Sequence, residues 1–157
     1  MIKLPDSPAI GIPEIDEQHR EFIALIKRLH TLSRTDVSRK ELRTTLAELM
    51  AHAQKHFTDE EAHMRRTGYP LLAEHEAEHD AAAAKIHALL VHDADEPDLY
   101  RFLSNFLATW VTRHIMGRDG EFGKWLQTGL LPNQSGIEVT VQSYAMHSAV
   151  EEIDRLQ

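Results

Sequence analysis

His56-Phe57-Thr58-Asp59-Glu60 and His75-Glu76-Ala77-Glu78-His79 are the two fragments that decide the fold of this chain. Each begins with a histidine and ends, four residues later, with a second potential metal ligand. Positions i and i+4 are neighbours on a helix surface, with roughly 5–6 Å between their Cβ atoms, so each pair faces one side of a helix. Because buried imidazoles and carboxylates are costly without partners, these pairs indicate a shared polar site.

Both pairs continue apolar stripes of helical period. The helix that carries His56 is predicted to begin at the capping box Ser38–Glu41, and Gly68 is predicted to end it. Pro70 suits the first turn of the next helix. The stripe of the former helix is Leu42, Leu46, Leu49, Ala53, His56 and Glu60, and that of the latter is Leu72, His75, His79, Ala82 and Ile86.

Two more helices are predicted, one before and one after the two helices that carry these residue pairs. Residues 1–15 are predicted to form an extended arm, with Asp16 as the N-cap of a first helix. Pro97 stands where a fourth helix would begin. The stripe of the first helix is His19, Phe22, Ile26, Leu29 and Ser33, and that of the fourth is Leu99, Leu103, Phe106, Trp110 and His114. The predicted fold class is therefore all-α, an up-down-up-down four-helix bundle with an N-terminal arm and a C-terminal helical tail.

The tail begins at a hydrophilic break over residues 132–136. Val139, Met146 and Ile153 then repeat every seven residues, which predicts a short helix that pairs with another helix. We therefore divide the chain into a bundle over residues 1–131 and a linker with a C-terminal helix over residues 132–157. This helix would serve as a signalling linker to a downstream domain, or as a dimer contact.

Composition excludes several function classes. The 157-residue chain has no cysteine, so thiolate metal sites and disulfides are excluded. A formal charge of −8 argues against a nucleic-acid partner. The most apolar stretch, residues 81–91, is too short to cross a membrane and is interrupted by Lys85 and His87. No apolar signal segment follows Met1, and we expect a cytoplasmic protein.

One pair of residues in the fourth helix poses a geometric problem. His114 and Asp119 are five positions apart, so on a straight helix their side chains would diverge by roughly 140°. We therefore expect the helix to be distorted, or to end, between them, and we expect Gly117 and Gly120 to permit this distortion. With this pair, the potential ligands in the four stripes are His19, His56, Glu60, His75, His79, His114 and Asp119.

Five imidazoles and two carboxylates are enough to hold two metal ions in a bundle. Ligands of these types suit iron, manganese, cobalt or zinc and do not choose among them. His52 also lies four residues from His56, but it falls off the buried stripe, so we interpret it as a surface residue. Glu61, Glu74, Glu76 and Glu78 form either a solvated acidic face or a set that includes partners of the ligand imidazoles.

The pattern His19, His56-x-x-x-Glu60, His75-x-x-x-His79, His114-x-x-x-x-Asp119 resembles the hemerythrin signature, especially its bacterial form. The resemblance spans roughly residues 10–126. It implies one iron on His75, His79 and His114 and another on His19 and His56, bridged by Glu60, Asp119 and an oxo or hydroxo group. Dioxygen would bind on the His19/His56 side. The implied apolar pocket is formed by Phe22, Phe57, Trp110 and Ile115.

Three functions remain open at this point. The first is an oxygen or redox sensor whose C-terminal helix transmits the change, and the second is an oxygen store or carrier. The third is a di-iron enzyme that acts on peroxide, nitric oxide or iron. We rank the enzyme last because oxygen-activating ferritin-like sites use more carboxylates and fewer imidazoles. We expect the domain itself to bind dioxygen, with nitric oxide as another small ligand, without catalysing a reaction.

Overall fold

The computed structural model describes residues 4–5, 9–93 and 97–131. These residues form four long helices: α1 (Pro13–Leu32), α2 (Arg39–Thr67), α3 (Leu72–Asp93) and α4 (Pro97–His114). A π-helical segment (Ile115–Asp119) and α5 (Gly120–Thr128) follow α4 directly. The predicted helix in the C-terminal tail lies outside the described residues.

The boundaries of α2 are those that the sequence predicts. Ser38 is extended at the N-cap, and its hydroxyl accepts a hydrogen bond from the backbone N–H of Glu41. Gly68 ends the helix in the left-handed conformation with φ of 72°, which costs glycine little because it has no Cβ. The placement of Pro70 is wrong by two residues, since α3 begins at Leu72 and Pro70 lies in the preceding turn.

The predicted N-cap of α1 is also wrong. The helix begins at Pro13, whose fixed φ suits a first helical position, and Ile12 is the N-cap without a capping side chain. Asp16 lies inside the first turn, where its carboxylate accepts hydrogen bonds from the backbone N–H groups of Ile10 and Gly11 at 2.6 and 3.2 Å. The aspartate therefore holds the N-terminal arm against the bundle.

The interior consists of two apolar clusters with a polar layer between them. The upper cluster includes Phe22 on α1, Ala53 on α2, Ile86 on α3 and Val111 on α4. The lower cluster is formed by Ile10, Ile15, Met64, Tyr69 and Phe122.

The order of these clusters along each helix gives the topology. From N- to C-terminus, α1 runs from the lower cluster to the upper, α2 returns, α3 runs up again with Leu72 against the lower cluster, and α4 with α5 returns. Each of the four helices contacts the next, and α1 also contacts α4. The up-down-up-down bundle is confirmed.

The buried face of α4 differs from the predicted stripe. Leu103, Leu107, Val111 and Ile115, spaced four apart, are almost fully buried, whereas Phe106 and Trp110 are half-buried at the edge of the upper cluster. No helix within residues 4–5, 9–93 and 97–131 combines the length and the apolar character that crossing a membrane requires.

Candidate metal centre

The polar layer between the two apolar clusters contains all seven predicted ligand residues. None of the seven is more than 4% exposed to solvent. They fall into two overlapping groups in which the potential ligand atoms lie within 4.8 Å of one another. One group is Glu60, His75, His79 and His114, and the other is His19, His56, Glu60 and Asp119.

The first group is built around three imidazoles. Nε2 of His114 lies 2.8 Å from Nε2 of His79 and 3.2 Å from Nε2 of His75. Glu60 Oε2 lies 3.0 Å from Nε2 of His75 and 3.6 Å from that of His79. Ring nitrogens of His75 and His79 on one helix thus lie within hydrogen-bonding distance of that of His114 on another, and these two also lie beside one carboxylate oxygen.

Asp119 joins this group to the second one. Its Oδ1 lies 3.1 Å from His114 Nε2, and its Oδ2 lies 3.1 Å from His19 Nε2. Glu60 Oε2, already close to His75, is also 3.9 Å from His56 Nε2. Each carboxylate therefore has imidazoles of both groups as neighbours.

The π-helical segment makes the approach of Asp119 to His114 geometrically accessible. An i→i+5 hydrogen-bonding pattern widens the turn, which brings residues five apart towards the same side of the helix. The predicted distortion is confirmed. The expected role of glycine is wrong: Gly120 has an ordinary helical φ of −61°, and a Cβ at Gly117 would meet no atom within 4 Å. The distortion therefore lies in the hydrogen-bonding pattern rather than in conformations reserved for glycine.

The chemistry of this cluster fits a cation. Glu60 Oε1 and both carboxylate oxygens of Asp119 are buried, and they accept no hydrogen bond from the described residues. Buried carboxylate oxygens without donors are costly, and a metal ion would satisfy them. Imidazole and carboxylate ligands together suit first-row transition metals.

The electrostatics of the cluster point the same way. Burial lowers the pKa of His56 to about 3 and that of His75 to about 4, so these imidazoles are neutral and offer lone pairs. Burial and then the charge of Asp119 raise the pKa of Glu60. Burial opposes ionisation of Asp119, but the proximity of His114 and then His19 holds its pKa well below the usual range. Two neighbouring buried carboxylates resist ionising together unless a cation lies between them.

The outer nitrogens of two imidazoles lie beside carboxylates. His79 Nδ1 donates to Glu61 Oε1 at 2.8 Å. His114 Nδ1 lies 3.4 Å from Glu78 Oε2, and Glu78 also accepts from Arg118. Of the four glutamates left open by the sequence, Glu61 and Glu78 thus orient imidazoles; Glu76 instead pairs with Arg65, and Glu74 is exposed.

The sequence pattern did not predict the contacts of Gln18 and His52 with the cluster. Gln18 Oε1 lies 3.2 Å from His56 Nδ1, and the backbone oxygen of Gln18 lies 2.8 Å from His52 Nε2. The interpretation of His52 as a surface residue is wrong, since its side chain is 12% exposed. Its position four residues before His56, on the α2 face nearest α1, is the signal that could have placed it beside α1.

Aromatic rings cover the cluster on its upper side. Phe57 stacks on His79 with ring centroids 3.8 Å apart, and Trp110 stacks on His114 at 4.5 Å. Phe22 lies edge-on to His56 at 6.2 Å. Ile115, the remaining predicted pocket residue, is 3% exposed in the upper cluster.

Comparison with known proteins agrees with this architecture. Residues 10–126 match the model of the hemerythrin HHE cation-binding domain. The chain is 27% identical over 122 residues to a bacteriohemerythrin of Clostridium acetobutylicum, covering 74% of this chain and 95% of that protein. It is 30% identical over 112 residues to a bacteriohemerythrin of Methylococcus capsulatus, covering 71% of this chain and 85% of that one.

A crystal structure of wild-type hemerythrin is similar in three dimensions. It aligns with a TM-score of 0.62 at 28% identity, covering 72% of this chain and 87% of that chain. The matched family model spans the four helices together with every residue of the buried His/Glu/Asp cluster. On these grounds the chain belongs to the hemerythrin family.

Proposed function

We propose that this domain binds dioxygen reversibly at a di-iron centre. The observation that carries the proposal is the position of Asp119, whose two oxygens face imidazoles of different groups at 3.1 Å each. A carboxylate in this position would bridge two ions, and membership of Glu60 in both groups of potential ligands supports a shared site.

The assignment of residues follows the two groups. His75, His79 and His114 would hold one iron, and His19 and His56 the other, with Glu60, Asp119 and an oxo or hydroxo group as bridges. When bound, the iron pair would supply the electrons that reversible dioxygen binding requires. Because His19 and His56 would supply one imidazole fewer than the other group, an ion held there would retain an open position for an exogenous ligand.

The surrounding side chains would control access to that position. Phe22 packs against His56, and Phe57 lies near both His56 and His79, with ring centroids at 5.7 and 3.8 Å. Trp110 covers His114. Together with Ile115 these residues would form an apolar pocket that limits water at the bound ligand. A dry surrounding strengthens the electrostatic interactions at the centre and protects a reduced site from side reactions.

We further propose that the domain is an oxygen or redox sensor, supported by the heptad-like series in the C-terminal tail. An oxygen store or carrier is the alternative, and it would not need the tail to respond. A di-iron enzyme is the third alternative; the imidazole-rich ligand set supports reversible binding over such chemistry. The cytoplasm stays the compartment that the sequence predicts.

Metal analysis with an optical titration tests the dioxygen proposal. Purified protein should contain about two iron ions per chain, and reduced protein should gain visible absorption on exposure to air and lose it on deoxygenation. The absence of bound iron, or an irreversible oxidation without a recoverable reduced form, would count against it.

A cross-linking experiment separates sensor from carrier. A single cysteine introduced at residue 146 in this cysteine-free chain gives a site-specific probe in the tail. A sensor should show different cross-linking in deoxygenated and oxygenated protein. Equal cross-linking in both states would favour the carrier.

A further inference from the structure

Four side chains from α1 and α2 form a hydrogen-bonded series that leads from the surface to His56. Lys55, which is exposed, donates to Asp59 Oδ2. Gln18 Nε2 donates to the same oxygen at 2.7 Å. Gln18 Oε1 in turn lies 3.2 Å from Nδ1 of the buried His56. We call Lys55, Asp59, Gln18 and His56 the Gln18 relay.

The chemistry of the relay determines where each proton lies. An ionised carboxylate only accepts hydrogen bonds, so Asp59 selects the amide nitrogen of Gln18 and turns its oxygen towards His56. An amide oxygen also only accepts, so His56 Nδ1 must carry a proton. Nε2 of His56 is then left with its lone pair facing Glu60 Oε2, 3.9 Å away.

The backbone of Gln18 is held as well. Its carbonyl oxygen lies 2.8 Å from His52 Nε2, which donates this hydrogen bond across the α1–α2 contact. Gln18 is only 6% exposed. The amide therefore cannot turn away from His56 without losing its own hydrogen bond to Asp59 and leaving a buried polar group unpaired.

The relay differs from the contacts on the other side of the cluster. His79 and His114 have carboxylates, Glu61 and Glu78, beside their Nδ1 atoms, whereas His56 has a neutral amide. A carboxylate partner raises the basicity of an imidazole ligand, so His56, whose partner is an amide, is the weaker electron-pair donor to a metal ion. The two candidate metal positions thus differ in the hydrogen-bond partners of their imidazoles.

We propose that Gln18 is a positioning residue that fixes the Nδ1–H form of His56 and so sets metal affinity at the His19/His56 position separately from the three-histidine position. This inference rests on the proposed di-metal function.

Calorimetric titration of the metal-free full-length chain with Zn²⁺ tests it. Wild-type protein should bind two ions, because zinc accepts the same ligands. Gln18→Leu, which removes the acceptor at similar size, should weaken one binding step by about 10–100-fold, the range that the loss of such outer partners causes. The other step should stay as in wild type.

Two further variants separate positioning from packing. Asp59→Ala, at a partly exposed residue, leaves Gln18 in place but frees its amide to turn, and should weaken the same step. The double variant Gln18→Glu with Asp59→Asn rebuilds the series with a carboxylate acceptor at His56 Nδ1, and should restore that step. Glu74→Ala is the control for loss of an exposed carboxylate.

The outcomes are distinguishable. Failure of wild-type protein to bind two ions would overturn the proposed function together with the inference. The inference alone would be overturned if wild-type protein binds two ions and both variants, Gln18→Leu and Asp59→Ala, bind them as wild type does. It would also be overturned if both variants weaken the two binding steps equally. Circular dichroism of each variant establishes folding, and Asp59→Ala decides the matter if Gln18→Leu does not fold.

Discussion

His114 and Asp119 stand five positions apart in the chain, and Nε2 of the first lies 3.1 Å from Oδ1 of the second. The π-helical segment between them makes this contact, and it turns Asp119 Oδ2 towards His19 on α1 at the same time. A local change in helical hydrogen bonding thus connects the two halves of the candidate metal centre.

Replacing Asp119 should therefore affect both metal positions. Asp119→Asn keeps the shape of the side chain but removes the charge and one of the two ligand oxygens. We expect the iron content to fall from about two ions per chain to one or fewer, measured by elemental analysis of protein purified with excess iron. Asp98→Asn, an exposed change in the first turn of α4, should leave the content unchanged. Full iron content in Asp119→Asn would contradict the bridging role.

Metal removal should destabilise the fold, because it leaves the buried polar layer without a cation. A ligand present at 100 times its dissociation constant stabilises a protein by about 2.7 kcal/mol. For a domain of this size that corresponds to roughly 10 °C in melting temperature. Thermal denaturation with and without a chelator measures the difference, and equal melting temperatures would show that the cluster needs no metal.

The ring of Trp110 should protect the centre from water. Trp110→Ala removes the indole that stacks on His114 and opens the upper side of the cluster. We expect autoxidation of the reduced, oxygen-exposed protein to become several-fold faster, followed by visible absorption. Trp125→Ala removes the same kind of ring beside the lower cluster and serves as the control. Equal rates in the two variants would assign Trp110 to packing alone.

Gly123 on α5 lies directly against the N-terminal arm. A Cβ at this position would lie 2.5 Å from the backbone oxygen of Ile10, so the arm must move when alanine is introduced. Gly123→Ala should cost about 1–3 kcal/mol of unfolding free energy. Urea denaturation provides the measurement. In Gly117→Ala the new methyl group meets nothing within 4 Å, and this variant should be no less stable than wild type.

Tyr69 should make stability fall at high pH. Burial, and then the charge of Glu121, raises its pKa from 10.0 to about 12. Because the folded state favours the neutral phenol, the stabilisation is fully present below pH 10 and is lost as the pH rises towards 12. Tyr69→Phe should flatten this part of the stability profile, measured by urea denaturation at several pH values. An unchanged slope of unfolding free energy against pH in Tyr69→Phe would show that another group causes the loss of stability.

Much of the fold and of the candidate site follows from local pattern. The capping box at Ser38 and the glycine at Gly68 predict the ends of α2 correctly because both depend on neighbouring backbone groups. The i, i+4 pairs that begin at His56 and His75 predict shared helix faces for the same reason. Asp16 is a residue whose role local pattern did not predict. Its carboxylate accepts hydrogen bonds from backbone amides of the N-terminal arm instead of capping its own helix, and this choice of partner depends on where the arm packs.

The sequence by itself determined the four helices, the buried stripes of α1, α2 and α3, and the seven residues that meet in the polar layer, because helical period and the cost of burying polar groups act locally. Only the tertiary structure decided how the helix between His114 and Asp119 is distorted. It also decided which outer partner each imidazole has, as with Gln18 beside His56 and Glu61 beside His79. Such contacts join different helices, and their distances depend on how the helices pack rather than on spacing along the chain.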